Sequence, residues 1–244
     1  MKNLVRKLKG LWILLNGALA TIFVSIPILS SSFLSRTGNL PFIFEQFWCM
    51  WALVIAGVRL EVKGRENIDS AKSYVIISNH QSHYDIPALM YGLGVQFRWV
   101  IKKELRRVPL WGLCLYASRH VFVDRSNMKK AIESIRHGVS RLPTGASLMV
   151  FAEGTRSGSS KVRKFRRGGF EIAIQEKMPI LPVTINGSWK IMPDRNSMDF
   201  YSGPIEVIVG SPISTEEYSR ENIRDLVEKT RDSIISRINS EYPG

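Results

Sequence analysis

A chain of 244 residues with 45% hydrophobic content is long enough for one large buried core, and nothing between residues 60 and 244 reads as a linker or an internal repeat. With 34 Lys and Arg against 21 Asp and Glu, the net charge of +13 points to an anionic partner: nucleic acid, an acidic membrane surface or a phosphate-bearing substrate. Cys49 and Cys114 lie among apolar residues without CxxC spacing, which excludes a disulfide framework and predicts buried free thiols in a reducing compartment.

The amino-terminal segment is the most apolar. From Gly10 to Ser35 there is no charged residue, and Leu11 to Leu29 is almost wholly apolar. About 20 such residues cross a bilayer core. Lys2, Arg6, Lys7 and Lys9 precede the run like the basic region of a signal peptide, but the run is long for one and no disulfide pairs follow. A second apolar stretch, Leu40 to Val58, carries Phe42, Phe44, Phe47, Trp48 and Trp51 and the single charge Glu45, and ends at Arg59, Lys63 and Arg65. Both ends of the pair are basic, which places both on the cytoplasmic side. Pro27 and Pro41 bracket an expected polar turn from Ser30-Ser31-Ser32 through Asn39. The aromatic residues and Glu45 suit an interfacial segment. Residues 1–58 therefore read as a membrane-anchoring helical hairpin, either dipping into one leaflet or making two short spans. A pair of core helices is the soluble alternative.

Residues 59–244 alternate between strand and helix periodicity. Strands are predicted at Arg59–Val62, Tyr74–Ser78, Phe97–Ile101, His120–Val123, Ser147–Ala152, Ile180–Ile185 and Ile205–Val209. The strand Ile180–Ile185 contains Pro182 and is expected at an edge or a bulge. Ile132, Ile135, Val139 and Leu142 repeat at helical spacing after Ser126 and Asn127, candidate caps. Ile223, Leu226, Val227, Ile234, Ile235 and Ile238 mark a closing amphipathic helix. This pattern predicts an α/β domain layered about a central sheet, with ligand sites where strands run out into loops.

Four charged or polar clusters sit at such strand ends. After Tyr74–Ser78 comes Asn79-His80-Gln81-Ser82-His83-Tyr84-Asp85. A carboxylate that orients a neutral imidazole makes a general base for a hydroxyl group. Residues five apart lie about 140° round a regular helix, so His80 and Asp85 meet only if His80 is on the loop and Asp85 in the first turn of a following helix. Pro87 supports that start. The plainer reading is a polar turn capped by Asp85. His80 and His83 have ligand-like spacing, but no second cluster completes a metal site, so no metal is expected. Next come Lys102-Lys103-Glu104-Leu105, then Val121-Phe122-Val123-Asp124-Arg125, then Phe151-Ala152-Glu153-Gly154-Thr155-Arg156-Ser157. Gly154 permits a sharp turn, and Arg156 can present its fork to a phosphate. The basic run Lys161, Arg163, Lys164, Arg166 and Arg167 follows.

These motifs, with the strand Leu181-Pro182-Val183-Thr184-Ile185, occur in the order of the conserved blocks of the glycerolipid acyltransferases, and the chain resembles that family over roughly residues 60–210. Its best-known members are the 1-acylglycerol-3-phosphate (lysophosphatidate) acyltransferases. The resemblance implies a layered αβα acyltransferase domain, here 59–244, with a central mixed sheet and a His–Asp dyad acting on membrane lipid without metal or other cofactor. Carried onto this chain, His80 is the base and Asp85 its orienting partner. Lys102, Lys103, Arg125 and Arg156 are candidates to hold the acceptor phosphate, and Glu153, Gly154 and Thr155 form the turn that presents Arg156. The implied partners are a lysophospholipid acceptor, acyl-CoA or acyl-carrier protein as donor, and an anionic membrane surface. The implied location is the cytoplasmic face of a membrane, as in bacterial members at the inner membrane. Ala152 replaces the usual proline of the third block, which predicts a loosened turn, and Ser118-Arg119-His120 stands where a glycine is common, so that Arg119 and His120 predict a reshaped acceptor pocket. His83 is a competing base. The basic run can meet lipid headgroups, coenzyme A phosphates or an acidic carrier protein. Glycerol 3-phosphate, another lysophospholipid or lyso-ornithine lipid are alternative acceptors. A membrane-tethered nucleic-acid-binding module is the rival class, but it leaves the dyad unused and no nucleic acid is expected.

Overall fold

The computed structural model describes residues 2–124, 128–143, 145–193 and 199–242. Arg125 and the candidate caps Ser126 and Asn127 lie outside the described residues. Two helices, α1 (Lys2–Leu34) and α2 (Asn39–Ala56), lead directly into β1 (Val58–Lys63). The chain continues through β2 (Val75–Ser78), α3 (Asp85–Gly92), β3 (Phe97–Lys102) and α4 (Trp111–Ala117) to β4 (Val121–Val123). Then follow α5 (Met128–Val139), β5 (Ser147–Phe151), α6 (Gly168–Gln175) and β6 (Ile180–Asn186). The last elements are α7 (Ser188–Ile191), β7 (Gly203–Val209) and α8 (Ile223–Ile235).

The strands form one seven-stranded sheet in the order β1-β7-β6-β2-β5-β3-β4. Every neighbouring pair is parallel except β6 with β7, so the sheet is mixed. Alternation along β2 sends Ile76 to one face and Val75 and Ile77 to the other. The Ile76 face packs under the hairpin and α3, with Phe42, Cys49 and Leu53 from α2 and Leu89 from α3. The Val75 face packs under α6 and α8 through Phe170, Ala173, Leu226 and Ile234, and α5 covers the β4 edge through Ile135. The result is an αβα sandwich whose upper layer is partly the hairpin itself.

Three local expectations change. Ser30, Ser31 and Ser32 continue α1, and the turn is confined to residues 35–38. Their hydroxyls donate back to the carbonyls of Ile26, Ile28 and Leu29, so they are satisfied within the helix and need no turn. Glu45 is buried against the domain, with no need of an interface to solvate it. Pro182 lies in a fully buried interior strand, so of the two expected settings the edge is excluded and the bulge remains. It falls where the β7 side of the ladder is interrupted, between the Val183–Val209 pair and the isolated Ile180–Ile213 bridge. Its carbonyl still accepts from Gly210 N–H at 2.8 Å, and the irregular partner removes the demand for its missing N–H.

α1 and α2 are long and apolar enough to cross a membrane, by length and composition. Leu11, Trp12, Leu15, Leu19, Phe23 and Ile26 of α1 are exposed, as are Phe47, Trp51 and Val54 of α2. An apolar face of this extent suits membrane association.

Candidate active site

The parallel register of β2 and β5 pairs Ser78 with Phe151, so the loops leaving both strands run side by side. Asn79 extends the β2–β6 pairing with its side chain: its Nδ2 donates to Ile185 O at 2.9 Å and its Oδ1 accepts from Ile185 N–H at 2.8 Å. With Asn79 anchored, His80 begins the loop and Asp85 the first turn of α3.

His80 Nδ1 and Asp85 Oδ2 are 2.7 Å apart. The same Oδ2 accepts the backbone N–H groups of Gln81 at 2.6 Å and Ser82 at 2.9 Å, and Ser188 Oγ donates to Oδ1. Asp85 is fully buried. A carboxylate so surrounded by donors is fixed in position, and as the acceptor it places the imidazole proton on Nδ1. His80 Nε2 is then the nitrogen with a lone pair. Asp85 also ties the 81–82 turn, so the turn-forming and dyad arrangements are one structure.

Glu153 lies in register beside His80. Its Oε1 accepts His80 N–H at 2.7 Å and its Oε2 accepts Arg163 N–H at 3.0 Å. Burial raises its carboxyl above the usual value of 4.5, although both amide donors pull it down. The returning chain locks the loop further: Ser157 N–H donates to His80 O at 2.7 Å and Gly158 N–H to Gln81 O at 3.1 Å. Gly154 turns with φ of +72°, and a Cβ there would lie 2.7 Å from Arg166 Nε. Glycine is therefore required twice over, by conformation and by the guanidinium stacked above it.

His80, Gly154, Thr155, Arg156 and Lys102 share the wall of one cavity of about 400 Å³. Its other walls are largely apolar, with Trp99 and Phe151 from the sheet and Val24, Ile28 and Trp48 from the hairpin, beside Thr21 and Glu45. His83 lines it too, and also a second apolar cavity of about 440 Å³ between hairpin and α3. Lys103 does not line the first cavity; its Nζ lies 2.5 Å from Asp124 Oδ2. Lys102 is near Glu104 at 3.7 Å. Neither Arg119 nor His120 reaches this cavity, so the expected reshaping of its wall is not found. His120 instead bonds Glu45 Oε2 through Nε2 at 2.9 Å.

Sequence reasoning missed three contributors. Ser188 meets Asp85 across 103 positions of sequence, and no local spacing signals that. Phe151 carries the His80 ring on its face. Arg166 stood within the basic run, but its closeness to Gly154 was not foreseen; a basic residue just beyond the E-G-T-R turn was the available sign.

A buried dyad facing an apolar cavity, with cationic residues at the rim, suits proton abstraction from a hydroxyl on an amphiphile. Comparison with known proteins agrees in kind. The profile of the family described as Acyltransferase matches residues 59–186. The 1-acyl-sn-glycerol-3-phosphate acyltransferase of Pseudomonas aeruginosa is 31% identical over 223 residues, covering 88% of this chain and 84% of that protein. The enzyme of the same name from Saccharomyces cerevisiae is 32% identical over 76% of this chain, which spans only 61% of the yeast protein's length. The crystal structure of the 1-acyl-sn-glycerophosphate acyltransferase of Thermotoga maritima superposes with a TM-score of 0.81 over 98% of this chain and 96% of that one, at 24% identity, and so shares the fold. Matched by that family profile over more than half its length, the chain belongs to the acyltransferase family.

Proposed function

We propose that the protein moves a fatty acyl group from acyl-CoA or acyl-carrier protein to the free sn-2 hydroxyl of 1-acylglycerol 3-phosphate, giving phosphatidic acid at the cytoplasmic face of a membrane. The observation that carries the reading is the His80–Asp85 pair opening onto an apolar cavity beside the Gly154–Arg156 turn. The name shared by the relatives supplies the acceptor.

His80 Nε2 takes the proton of the acceptor hydroxyl, and Asp85 stabilises the imidazolium that forms. The acceptor oxygen attacks the thioester carbonyl. The tetrahedral intermediate collapses by breaking the C–S bond, and the proton passes from His80 to the departing thiolate, leaving an ester and a free thiol. The step uses no metal, prosthetic group or covalent enzyme intermediate. Arg156 and Lys102, which both line the cavity, hold the acceptor phosphate; Arg166 packs against Gly154, and Glu153 keeps the His80 amide and the turn in place. The apolar cavity takes an acyl chain. The hairpin of residues 1–58 brings the site to the bilayer, with both basic flanks on the cytoplasmic side, as at a bacterial inner membrane. No nucleic acid takes part.

The test is an assay of purified protein crossing acyl-CoA and acyl-carrier protein against lysophosphatidate, glycerol 3-phosphate, other lysophospholipids and lyso-ornithine lipid. Preference for lysophosphatidate, abolished in His80→Ala, is expected. Turnover that survives His80→Ala and disappears in His83→Ala moves the base to His83, and activity confined to an acceptor without a phosphate monoester removes the phosphate role of Arg156.

A further inference from the structure

A third cavity, of about 520 Å³, lies at the β4 edge and shares no lining residue with the one beside His80. Its wall is cationic: Arg98, Arg106, Arg119 and Arg141 all contribute, with His137 beside them. Among the described residues, no ion pair includes Arg106, Arg119 or Arg141. Arg106 is held over the Tyr116 ring, 4.4 Å from its centroid, and Arg141 Nη1 lies 3.4 Å from His137 Nε2. Arg98 is almost fully buried, and its Nε–H has no hydrogen-bond partner among the described residues. Burial pushes Arg98 down to about 10; the Glu45 carboxylate opposes that shift, and the Arg119 charge adds a smaller push downward. Glu45 serves Arg98 and His120, whereas Arg106, Arg119 and Arg141 gather like charge at the wall, a cost that a bound anion relieves.

Arg119 adds a conformational argument. Its N–H donates to Tyr116 O and the next N–H, of His120, to Leu115 O, which closes α4 with a Schellman turn. Arg119 occupies the left-handed position of that turn, with φ of +61°. Glycine takes this position without strain. An arginine kept there places a guanidinium in the cavity wall at a conformational cost.

The cavity also adjoins the apolar face. Leu29 and Ser32 of α1 and Leu113 and Tyr116 of α4 line it. Leu113 and Tyr116 are exposed, as are Phe33 and Leu34 at the end of α1. Arg98 ties the hairpin turn to this corner by donating to Thr37 O at 3.0 Å and Asn39 Oδ1 at 2.9 Å.

We propose that this edge cavity binds the phosphate headgroup of an anionic bilayer phospholipid, whose acyl chains lie along the exposed end of α1, at a site separate from the reaction centre. Guanidinium groups suit the phosphate oxygens, and the flanking leucines and phenylalanine suit the chains. The inference rests on the reading of α1 and α2 as the membrane-facing hairpin and not on the catalytic assignment.

The test uses the full chain and vesicles of phosphatidylcholine with and without phosphatidylglycerol, read by co-sedimentation. The double variant Arg119→Gly/Arg141→Gln is compared with Arg220→Gln/Arg224→Gln, which removes the same charge from the exposed surface near α8, away from the β4 edge. Arg119→Gly relieves the left-handed strain, so the first variant is expected to fold; unchanged circular dichroism and melting check that. Its preference for anionic vesicles should fall about tenfold or more while the α8 variant keeps the wild-type preference. Equal losses in both variants, or none in either, overturn the site. Inorganic phosphate provides the remaining arm: if it stabilises the wild type through Arg119 and Arg141 while anionic vesicles show no advantage, the ligand is a soluble anion and the lipid assignment fails. His80→Ala should bind anionic vesicles like wild type, so failure of the catalytic reading leaves this test intact.

Discussion

The imidazole of His80 lies flat on the ring of Phe151, with centroids 3.7 Å apart and planes 7° from parallel. Phe151 is backed in turn by Trp99, 5.2 Å away at 27°. Asp85 fixes one edge of the imidazole and the stack fixes its plane, which leaves the ring little freedom to tilt.

Removing the platform should therefore affect rate more than binding. Phe151→Leu keeps an apolar side chain but loses the flat surface, and small misplacements of a catalytic group cost up to about 100-fold in rate. We expect kcat to fall by about 10-fold or more with KM little changed, and Phe151→Tyr to retain most activity because the ring remains. Steady-state kinetics on both variants checks this, and equal losses in Leu and Tyr would mean that the ring plane is unimportant.

Asp85 accepts three N–H donors on Oδ2 and a hydroxyl on Oδ1, so its replacement disturbs both tautomer and loop. Asp85→Asn should lower kcat by about 10²–10⁴-fold. Ser188→Ala leaves the tautomer intact but removes one donor to a fully buried carboxylate. A loss of about 1–3 kcal/mol in stability is expected, with a smaller fall in rate than Asp85→Asn. Denaturant titration beside kinetics separates the two effects.

Much of this site was legible from local sequence, because its parts are local. The strands stood out as apolar runs, and the placement of His80 and Asp85 follows from the strand end and from Pro87. What spacing does not encode is contact across the sheet. Ser188 finds Asp85 only because β6 lies next to β2, an adjacency set by the packing of the whole sheet. Composition misled at Ser30–Ser32, where three serines suggested a turn yet satisfied their hydroxyls within α1. Pro182 was half legible: it is not at an edge, but the β7 side of the ladder takes up one extra residue beside it, between the Val183–Val209 pair and the Ile180–Ile213 bridge.

Glu153 carries a pH prediction. Its carboxyl is raised above 4.5 in the folded protein, so the fold binds that proton more tightly than the unfolded chain does. The associated stability is complete below pH 4.5 and is lost as pH rises through the folded value. Glu153→Gln cannot titrate, and its single carbonyl oxygen leaves one of the two amide donors, from His80 or Arg163, facing an NH₂ group. The variant should be less stable by about 1–3 kcal/mol, a deficit largest at acidic pH and shrinking as pH is raised. Denaturation across a pH series measures it; a deficit that grows with pH reverses the assigned direction.

Beside the Arg98 contacts to Thr37 and Asn39, the hairpin and the sheet edge are joined through His120 by a buried hydrogen bond whose polarity is fixed. Trp99 N–H donates to His120 Nδ1 at 3.1 Å, so the ring proton is on Nε2 and points to Glu45 Oε2 at 2.9 Å. The His120 side chain is wholly buried, and Glu45 comes from α2, 75 positions away in sequence. A neutral imidazole needs only an acceptor at Glu45, not a negative charge. Glu45→Gln still offers an amide oxygen and should cost under about 1 kcal/mol, whereas Glu45→Ala strands the buried Nε2–H and should cost about 1–3 kcal/mol. His120→Phe strands two groups, Trp99 N–H and the Glu45 carboxylate, and should cost more than either. Thermal unfolding in detergent micelles, with proteolysis at the hairpin turn as a second readout, ranks the three. If Glu45→Gln is as damaging as Glu45→Ala, His120 is protonated in the fold and the pair is an ion pair instead of a neutral hydrogen bond.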